Sequence, residues 1–198
     1  LGSIKSNISQ NKLNKDIDEK LDLFNLTELR NKKLKALSGG QLRRVGLAQA
    51  FQLNPKIVML DEPTTGLDPT ERIKFKNYIT GVGHDQTILI STHIVSDLEF
   101  ISKEIFILKD GHFAMSGTEK DLIDKCAGLV WEAEFQNEVE LHNHTVDHTV
   151  SMMYDSAEKI KARIISSVPP TSTSVKATPT LNDVYLVNFE KEAHLNAR

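Results

Sequence analysis

The chain has 198 residues, room for one substantial domain or for one domain with a small appendage. Its 39% hydrophobic and 26% charged residues are those of a soluble globular protein, and 24 Lys and Arg against 27 Asp and Glu leave a net charge of −3, which excludes a chain-wide basic footprint for nucleic acid. The single Cys126 excludes an intramolecular disulfide and fits a reducing compartment, and no apolar run approaches the roughly 20 residues that would span a bilayer.

Leu1-Gly2-Ser3-Ile4-Lys5-Ser6 has neither a signal-peptide pattern nor an initiator Met, so the expectation is of a soluble chain cut at the front. Residues 12–36 are rich in Lys, Asp, Glu and Leu, and Ile17, Leu21 and Phe24 fall at the spacing of an amphipathic helix. A second helix is expected from about Gln41, with Leu42, Val45, Leu47, Ala48 and Phe51 as its apolar stripe and Asn54-Pro55 as its stop. The run Ile57-Val58-Met59-Leu60 reads as a strand buried on both faces. Pro69 opens a helix that ends near Gly81-Val82-Gly83, Thr87 to Ile90 is a second buried strand, and a further helix is expected around Ile94–Phe100. Strands alternating with helices predict an α/β fold with a parallel sheet.

Beyond Glu104 the pattern changes. Residues 105–115 read as a β-hairpin with Asp110-Gly111 in its tight turn, and Thr118 caps a helix with an acidic first turn. From about residue 129 short alternating segments, a helix predicted over 156–163 and a Pro/Ser/Thr-rich stretch at 168–180 describe a small α+β appendage. The division expected from this pass is 1–36 as the remainder of a helical subdomain, 37–128 as the core and 129–198 as the appendage.

Four short elements carry the chemistry. In Leu37-Ser38-Gly39-Gly40-Gln41, Ser38 can cap a helix while the glycines let a phosphate approach the backbone N–H groups and the positive end of the helix dipole. An ordinary Ser-capped helix after a Gly turn would look the same. Asp61 closes the apolar run, and a carboxylate at the C-terminal end of a parallel strand stands where α/β sheets bind ligands. Asp61 suits a water-mediated hold on Mg²⁺, and Glu62 suits the polarising of a water that attacks a terminal phosphate, although Asp-Glu-Pro is also a common strand-to-turn signal. Thr64-Thr65-Gly66-Leu67-Asp68 links that strand to the Pro69 helix, where Asp68 is also a plain N-cap. His93, in Ser91-Thr92-His93, follows the second strand within reach of a γ-phosphate.

In this order and spacing the four elements resemble the ATPase of ABC transporters over roughly residues 12–125. Leu37–Gln41 is similar to the signature motif, Ile57–Glu62 to the Walker B strand with its catalytic glutamate, Gly66-Leu67-Asp68 to the D-loop, and His93 to the switch histidine. The resemblance implies a partial P-loop NTPase fold with a parallel sheet core and part of the helical subdomain. It implies ATP and Mg²⁺ as ligands, with Glu62 and His93 catalytic, Asp61 toward the metal, and Ser38, Gly39, Gly40, Gln41 and Asp68 toward nucleotide. In that family two nucleotide-binding domains enclose two ATP molecules head to tail, so Ser38, Gly39 and Gly40 would face the γ-phosphate held by the partner. The implied partners are a second such domain, as a homodimer, and an integral-membrane permease, with no nucleic acid. The implied place is the cytoplasmic face of the cell membrane, as a peripheral subunit.

The pattern G-x-x-x-x-G-K-[ST] occurs nowhere in the 198 residues, and Gln10 and Gln41 are wrongly placed for the family's Q-loop. The expectation is that this chain alone neither binds nor hydrolyses ATP. Pro179-Thr180-Leu181-Asn182-Asp183-Val184-Tyr185-Leu186 is similar to the closing segment of bacterial antibiotic- and bacteriocin-export ATPases, which implies an exporter. The rival reading is the C-terminal piece of a DNA-repair or chromosome-organising ATPase, which shares the signature and Walker B segments. It requires long heptad arms that residues 12–36 do not offer. A translation-associated two-cassette protein and a degenerate subunit acting only through its signature motif are the remaining alternatives.

Three features are left with bland readings. His142, His144 and His148 would share a face only if their segment were a strand, and no known ligand pattern joins them. Lys32-Lys33-Leu34-Lys35 and Arg43-Arg44 could meet anionic lipid or nucleic acid, and solvated helix faces explain them equally well. Cys126 reads as a small packed or partly exposed residue and not as a nucleophile.

Overall fold

In the computed structural model, which describes residues 9–156 and 159–189, the chain divides into two units, Leu1–Asp97 and Leu98–Arg198. The first begins with α1 (Gln10–Leu23), whose N-cap Ser9 accepts from the Lys12 N–H. Two short 3-10 turns, Thr27–Leu29 and Leu34–Ala36, lead to α2 (Gly39–Ala50). The inward face of α1 is partly polar. Asp16 and Lys20 are buried, with Asp16 Oδ2 accepting from the Leu53 N–H at 2.9 Å and Lys20 Nζ donating to Asn54 Oδ1 at 3.0 Å. These bonds clamp the turn that ends α2, where Leu53 and Asn54 take left-handed φ angles of 62° and 49° before Pro55. Phe24, Phe51 and Tyr78 pack around them, with the Phe51 and Tyr78 ring centroids 4.9 Å apart and edge-on.

The strand β1 (Ile57–Asp61) pairs in parallel with β2 (Thr87–Ser91), in the register Val58 to Ile88 and Asp61 to Ser91. The helix α3 (Pro69–Val82) makes the crossover that parallel pairing requires, capped by Asp68 with Pro69 in its first turn. The expectation of strands buried on both faces is corrected here. Val58 is 3% exposed, but Ile57 is 67%, Met59 73% and Leu89 53% exposed. Burial alternates because, among the described residues, apolar partners cover one face of this two-stranded sheet and not the other. The helix expected over Ile94–Phe100 is also absent. That stretch holds only the 3-10 turn Val95–Asp97, whose Asp97 is buried and accepts from the Thr64 hydroxyl.

In the second unit, β3 (Ile105–Lys109) and β4 (His112–Gly117) form the expected hairpin, with Asp110 and Gly111 at φ 50° and 76° in its turn. Then α4 (Glu119–Lys125) starts on a capping box between Thr118 and Asp121. A four-stranded antiparallel sheet follows in the order β6-β7-β5-β8, built from β5 (Val130–Phe135), β6 (Thr149–Ser156), β7 (Lys159–Ile165) and β8 (Val175–Lys176). One face, with Ala133, Phe135, Ala162 and Ile164, packs on Leu141 of α5 (Glu138–Thr145). The other face carries Arg163, whose guanidinium pairs with the buried Asp183 of α6 (Leu181–Phe189).

Two expectations are overturned in this unit. The helix predicted over 156–163 is largely strand β7, because Ile160, Ala162 and Ile164 alternate inward against β5. The segment of His142 and His144 is the helix α5, capped by Asn137, so the strand face that would have gathered the three histidines does not exist. Cys126 is buried, in keeping with a packed residue.

Candidate functional site

Ser38 starts α2 with a full capping box. Its Oγ accepts the Gln41 N–H at 3.3 Å, and Gln41 Oε1 accepts the Ser38 N–H at 3.0 Å. Gly39 and Gly40 therefore open the helix with N–H groups outside the intrahelical ladder. A Cβ on Gly40 would stand 2.9 Å from the carbonyl oxygen of Gly66, whereas one on Gly39 would meet nothing within 4 Å. Gly40 is thus needed for the close approach of α2 to the loop after β1, where Gly66 takes φ 77°. Asp68, at the end of that loop, accepts the Glu71 N–H at 2.9 Å, so the capping role read from sequence is present.

The parallel register places Asp61 beside Ser91, whose hydroxyl donates to Asp61 Oδ1, and brings the segments after β1 and β2 together. Glu62 follows with its N–H bonded to the Ser91 carbonyl at 2.9 Å and with a left-handed φ of 47°. Its Oε1 accepts the His93 backbone N–H at 3.0 Å and lies 2.7 Å from His93 Nδ1, while Oε2 is 3.4 Å from the hydroxyls of Thr92 and Thr65. A carboxylate can only accept, so Nδ1 carries the proton. The His93 side-chain hydrogen bond, aided by the backbone N–H and outweighing the opposing effect of burial, holds the Glu62 carboxyl below its ordinary pKa. The Glu62 side chain is 30% exposed and that of His93 71%, so the pair faces solvent.

The structure therefore brings Asp61, Glu62 and His93 into one cluster at the C-terminal edge of β1 and β2. Ser38, Gly39, Gly40 and Gln41 stand on α2, and Gly40 touches the loop that ends in Asp68. Between α2 and β1 an open groove of about 460 Å³ is lined by Leu42, Gly46, Met59 and Leu60 among others. The sequence reading missed Arg43 and Arg44 as inward groups. Arg43 Nη2 donates to the carbonyls of Asp61, at 3.0 Å, and of Glu62. Arg44 Nη1 donates to the carbonyls of Phe24 and Asn25 and to Glu71. The signal available was their place one turn after the glycines of α2, where Arg43 meets the end of β1 and Arg44 meets the end of α1 and Glu71 of α3.

Comparison with known proteins fits this geometry. Residues 3–65 match the family model described as ABC transporter. The chain is 34% identical over 117 residues to an uncharacterized ABC transporter ATP-binding protein, YxlF of Bacillus subtilis, an alignment covering 59% of this chain and 40% of that protein. It is 34% identical over 120 residues to the energy-coupling factor transporter ATP-binding protein EcfA2 of Lactococcus lactis, covering 60% of this chain and 42% of the relative. The chain thus spans about two fifths of the length of these curated relatives. A bacterial ABC transporter cassette solved as a dimer superimposes with a TM-score of 0.53 at 28% identity, over 58% of this chain and 50% of that one. The ATP-binding subunit of an ABC transporter does so with a TM-score of 0.56 at 26% identity, over 60% and 50%. The segment that carries α2, β1 and the Glu62–His93 cluster is thus similar to the ATP-binding domains of ABC transporters.

Proposed function

We propose that the complete protein is the ATP-hydrolysing subunit of an ABC-type membrane transporter, working as a pair of nucleotide-binding domains on a separate integral-membrane permease at the cytoplasmic face of the membrane. The observation that carries this reading is the Glu62–His93 pair at the C-terminal end of a parallel strand, with Asp61 directly before it. Glu62 stays ionised near neutral pH and has the charge to take a proton from an attacking water. His93, with Nδ1–H donated to Glu62, leaves Nε2 for a phosphate oxygen, to which it donates when the ring is protonated.

Asp61 and the Ser91 hydroxyl offer oxygen donors, the set that suits Mg²⁺. There a cation would be shared between Asp61, water and nucleotide phosphates. Bound Mg-ATP would supply the phosphoryl group whose hydrolysis drives transport. The N-terminus of α2, with Ser38, Gly39, Gly40 and Gln41, would donate backbone N–H groups to the γ-phosphate held by the second domain, and Asp68 would stand beside that contact. Among the described residues no helix is long and apolar enough to cross a membrane. The direction we favour is export, on the similarity of Pro179–Leu186 to the closing segment of export ATPases.

The test is Glu62→Gln in the complete cassette. Hydrolysis should fall by about 10²-fold or more, the usual worth of a general base, while an ATP-bound dimer accumulates. Normal turnover by this variant would remove Glu62 from the role.

A further inference from the structure

We propose that Arg43 is a positioning residue for Glu62, fixing the left-handed peptide from which the Glu62 carboxylate is aimed at His93. The inference rests on the reading of Glu62 given above and adds a residue that this reading does not use.

Carbonyls alternate sides along an extended strand, and they point the same way only where the residue between them turns to a helical or left-handed conformation. The carbonyl of Asp61 precedes Glu62 and the carbonyl of Glu62 follows it. Both accept from one nitrogen, Nη2 of Arg43. That shared donor is compatible with the φ of 47° at Glu62, whereas extended backbone there would swing one carbonyl away. A left-handed φ is unfavourable for a side chain of this size and persists only where its neighbours over-determine it.

The Glu62 backbone is also bonded through its N–H to the Ser91 carbonyl at 2.9 Å and through its carbonyl to the Thr65 N–H at 3.2 Å. Arg43 adds the charged donor, which is the stronger kind. Its Nε is buried without a hydrogen-bond partner, so the guanidinium is placed for the two carbonyls at the expense of its own complete solvation. From this backbone the carboxylate reaches both His93 donors.

The experiment is NMR on the full 198-residue chain, comparing Arg43→Met, which keeps the stem and removes the donors, with Arg43→Lys. In the unaltered chain Glu62 should show the strong intraresidue NOE between its amide and Hα protons that positive φ produces, and the His93 amide should be protected from exchange. Arg43→Met should weaken that NOE and speed His93 amide exchange about tenfold, while NOEs between Val58 and Ile88 persist. Arg43→Lys, with a single-point donor, should fall between the two. Unchanged NOE and exchange in Arg43→Met would overturn the proposal. So would a Lys variant indistinguishable from Met, since packing and not donation would then be the cause. Should Arg43→Met not fold, the same readings on Arg43→Lys decide, a weakened NOE supporting the proposal and an unchanged one overturning it. Neither reading involves ATP, so failure here leaves the role of Glu62 standing. Normal hydrolysis by Glu62→Gln would remove that role without touching the Arg43 contact.

Discussion

A single oxygen of Glu62, Oε1, accepts both from the backbone N–H of His93, at 3.0 Å, and from its ring Nδ1, at 2.7 Å. The two residues lie 31 positions apart and meet because Asp61 pairs with Ser91 in the parallel register. The side-chain bond is the largest influence on the Glu62 carboxyl and holds its pKa down. His93→Ala removes that bond and keeps the backbone N–H. Its Glu62 carboxyl should titrate at higher pH than in the parent, as followed by the side-chain carboxyl carbon in NMR. The sign follows from linkage. A depressed folded-state pKa contributes stability above the unfolded value, and that contribution is lost as pH falls through the folded pKa. The parent should therefore lose stability relative to His93→Ala on acidification below about pH 4.3, the ordinary glutamate value. Identical titration of Glu62 in both proteins would mean that the contact does not form in solution.

The two glycines that open α2 are expected to respond differently to alanine. A Cβ at Gly40 would press on the Gly66 carbonyl at 2.9 Å, and because both sides are backbone neither can yield by turning a rotamer. Gly40→Ala should destabilise the first unit by about 1–3 kcal/mol, overriding the helix-propensity gain of about 1 kcal/mol that alanine brings. At Gly39 the added methyl meets nothing within 4 Å, so Gly39→Ala should melt at or slightly above the parent temperature. If Gly39 serves phosphate approach and not the fold, the same change in a complete cassette should lower ATP turnover while stability holds. Thermal melts of both variants with turnover of the completed protein separate the two roles.

What the sequence disclosed follows the range of the interactions. Ser38, Asp68 and Thr118 were legible as caps because each bonds an N–H three residues on, and Asp110-Gly111 was legible because a tight turn depends on its own φ angles. The stretch 156–163 misled because Lys, Ala and Arg favour helices in isolation. The strand conformation of Lys159–Ile165 is decided by Phe135, Ala133 and Trp131 across the sheet, which no local window contains. Ile94–Phe100 failed for a similar reason, since Asp97 is drawn to the Thr64 hydroxyl and toward Arg72. In the site, chain order nominated Asp61, Glu62 and His93. Arg43 was hidden because a charged side chain on a helix is ordinarily solvated, and only the approach of α2 to the end of β1 turns it inward.

The second unit offers an independent test in acid. Burial pushes the Asp183 carboxyl up, but hydrogen bonds from Arg163, the Thr180 N–H and the Ser151 hydroxyl outweigh it and hold the group below the ordinary carboxylate range. Asp183 is 1% exposed and the Arg163 side chain 13%, so a buried carboxylate meets a partly buried guanidinium. The contribution is present above the unfolded aspartate pKa of about 3.9 and should be lost as pH falls through the lower folded value. Asp183→Asn should destabilise the unit at pH 7 by about 1–3 kcal/mol, because it exchanges charge-assisted hydrogen bonds from Arg163 for neutral ones while Glu132 still pairs with the guanidinium, and should flatten the acid limb of the stability curve. Equal acid sensitivity of variant and parent, in denaturant melts between neutral and acid pH, would assign the acid loss to other carboxylates.

A nucleotide triphosphate needs a cationic or N–H-lined cradle, and the pattern G-x-x-x-x-G-K-[ST] that builds one is missing from the 198 residues. The groups at the ends of β1 and β2 bring two carboxylates, Asp61 and Glu62, whose charge opposes a polyphosphate. The neighbouring cation, Arg43, is engaged with the Asp61 and Glu62 carbonyls, and the Ser38 hydroxyl is engaged with the Gln41 N–H. Titration calorimetry of the isolated chain with Mg-ATP should therefore show no saturable heat at micromolar concentrations. Stoichiometric micromolar binding would mean that the N-terminus of α2 suffices to hold the phosphates. The site would then have to be redrawn around Gly39 and Gly40, and not around the strand ends.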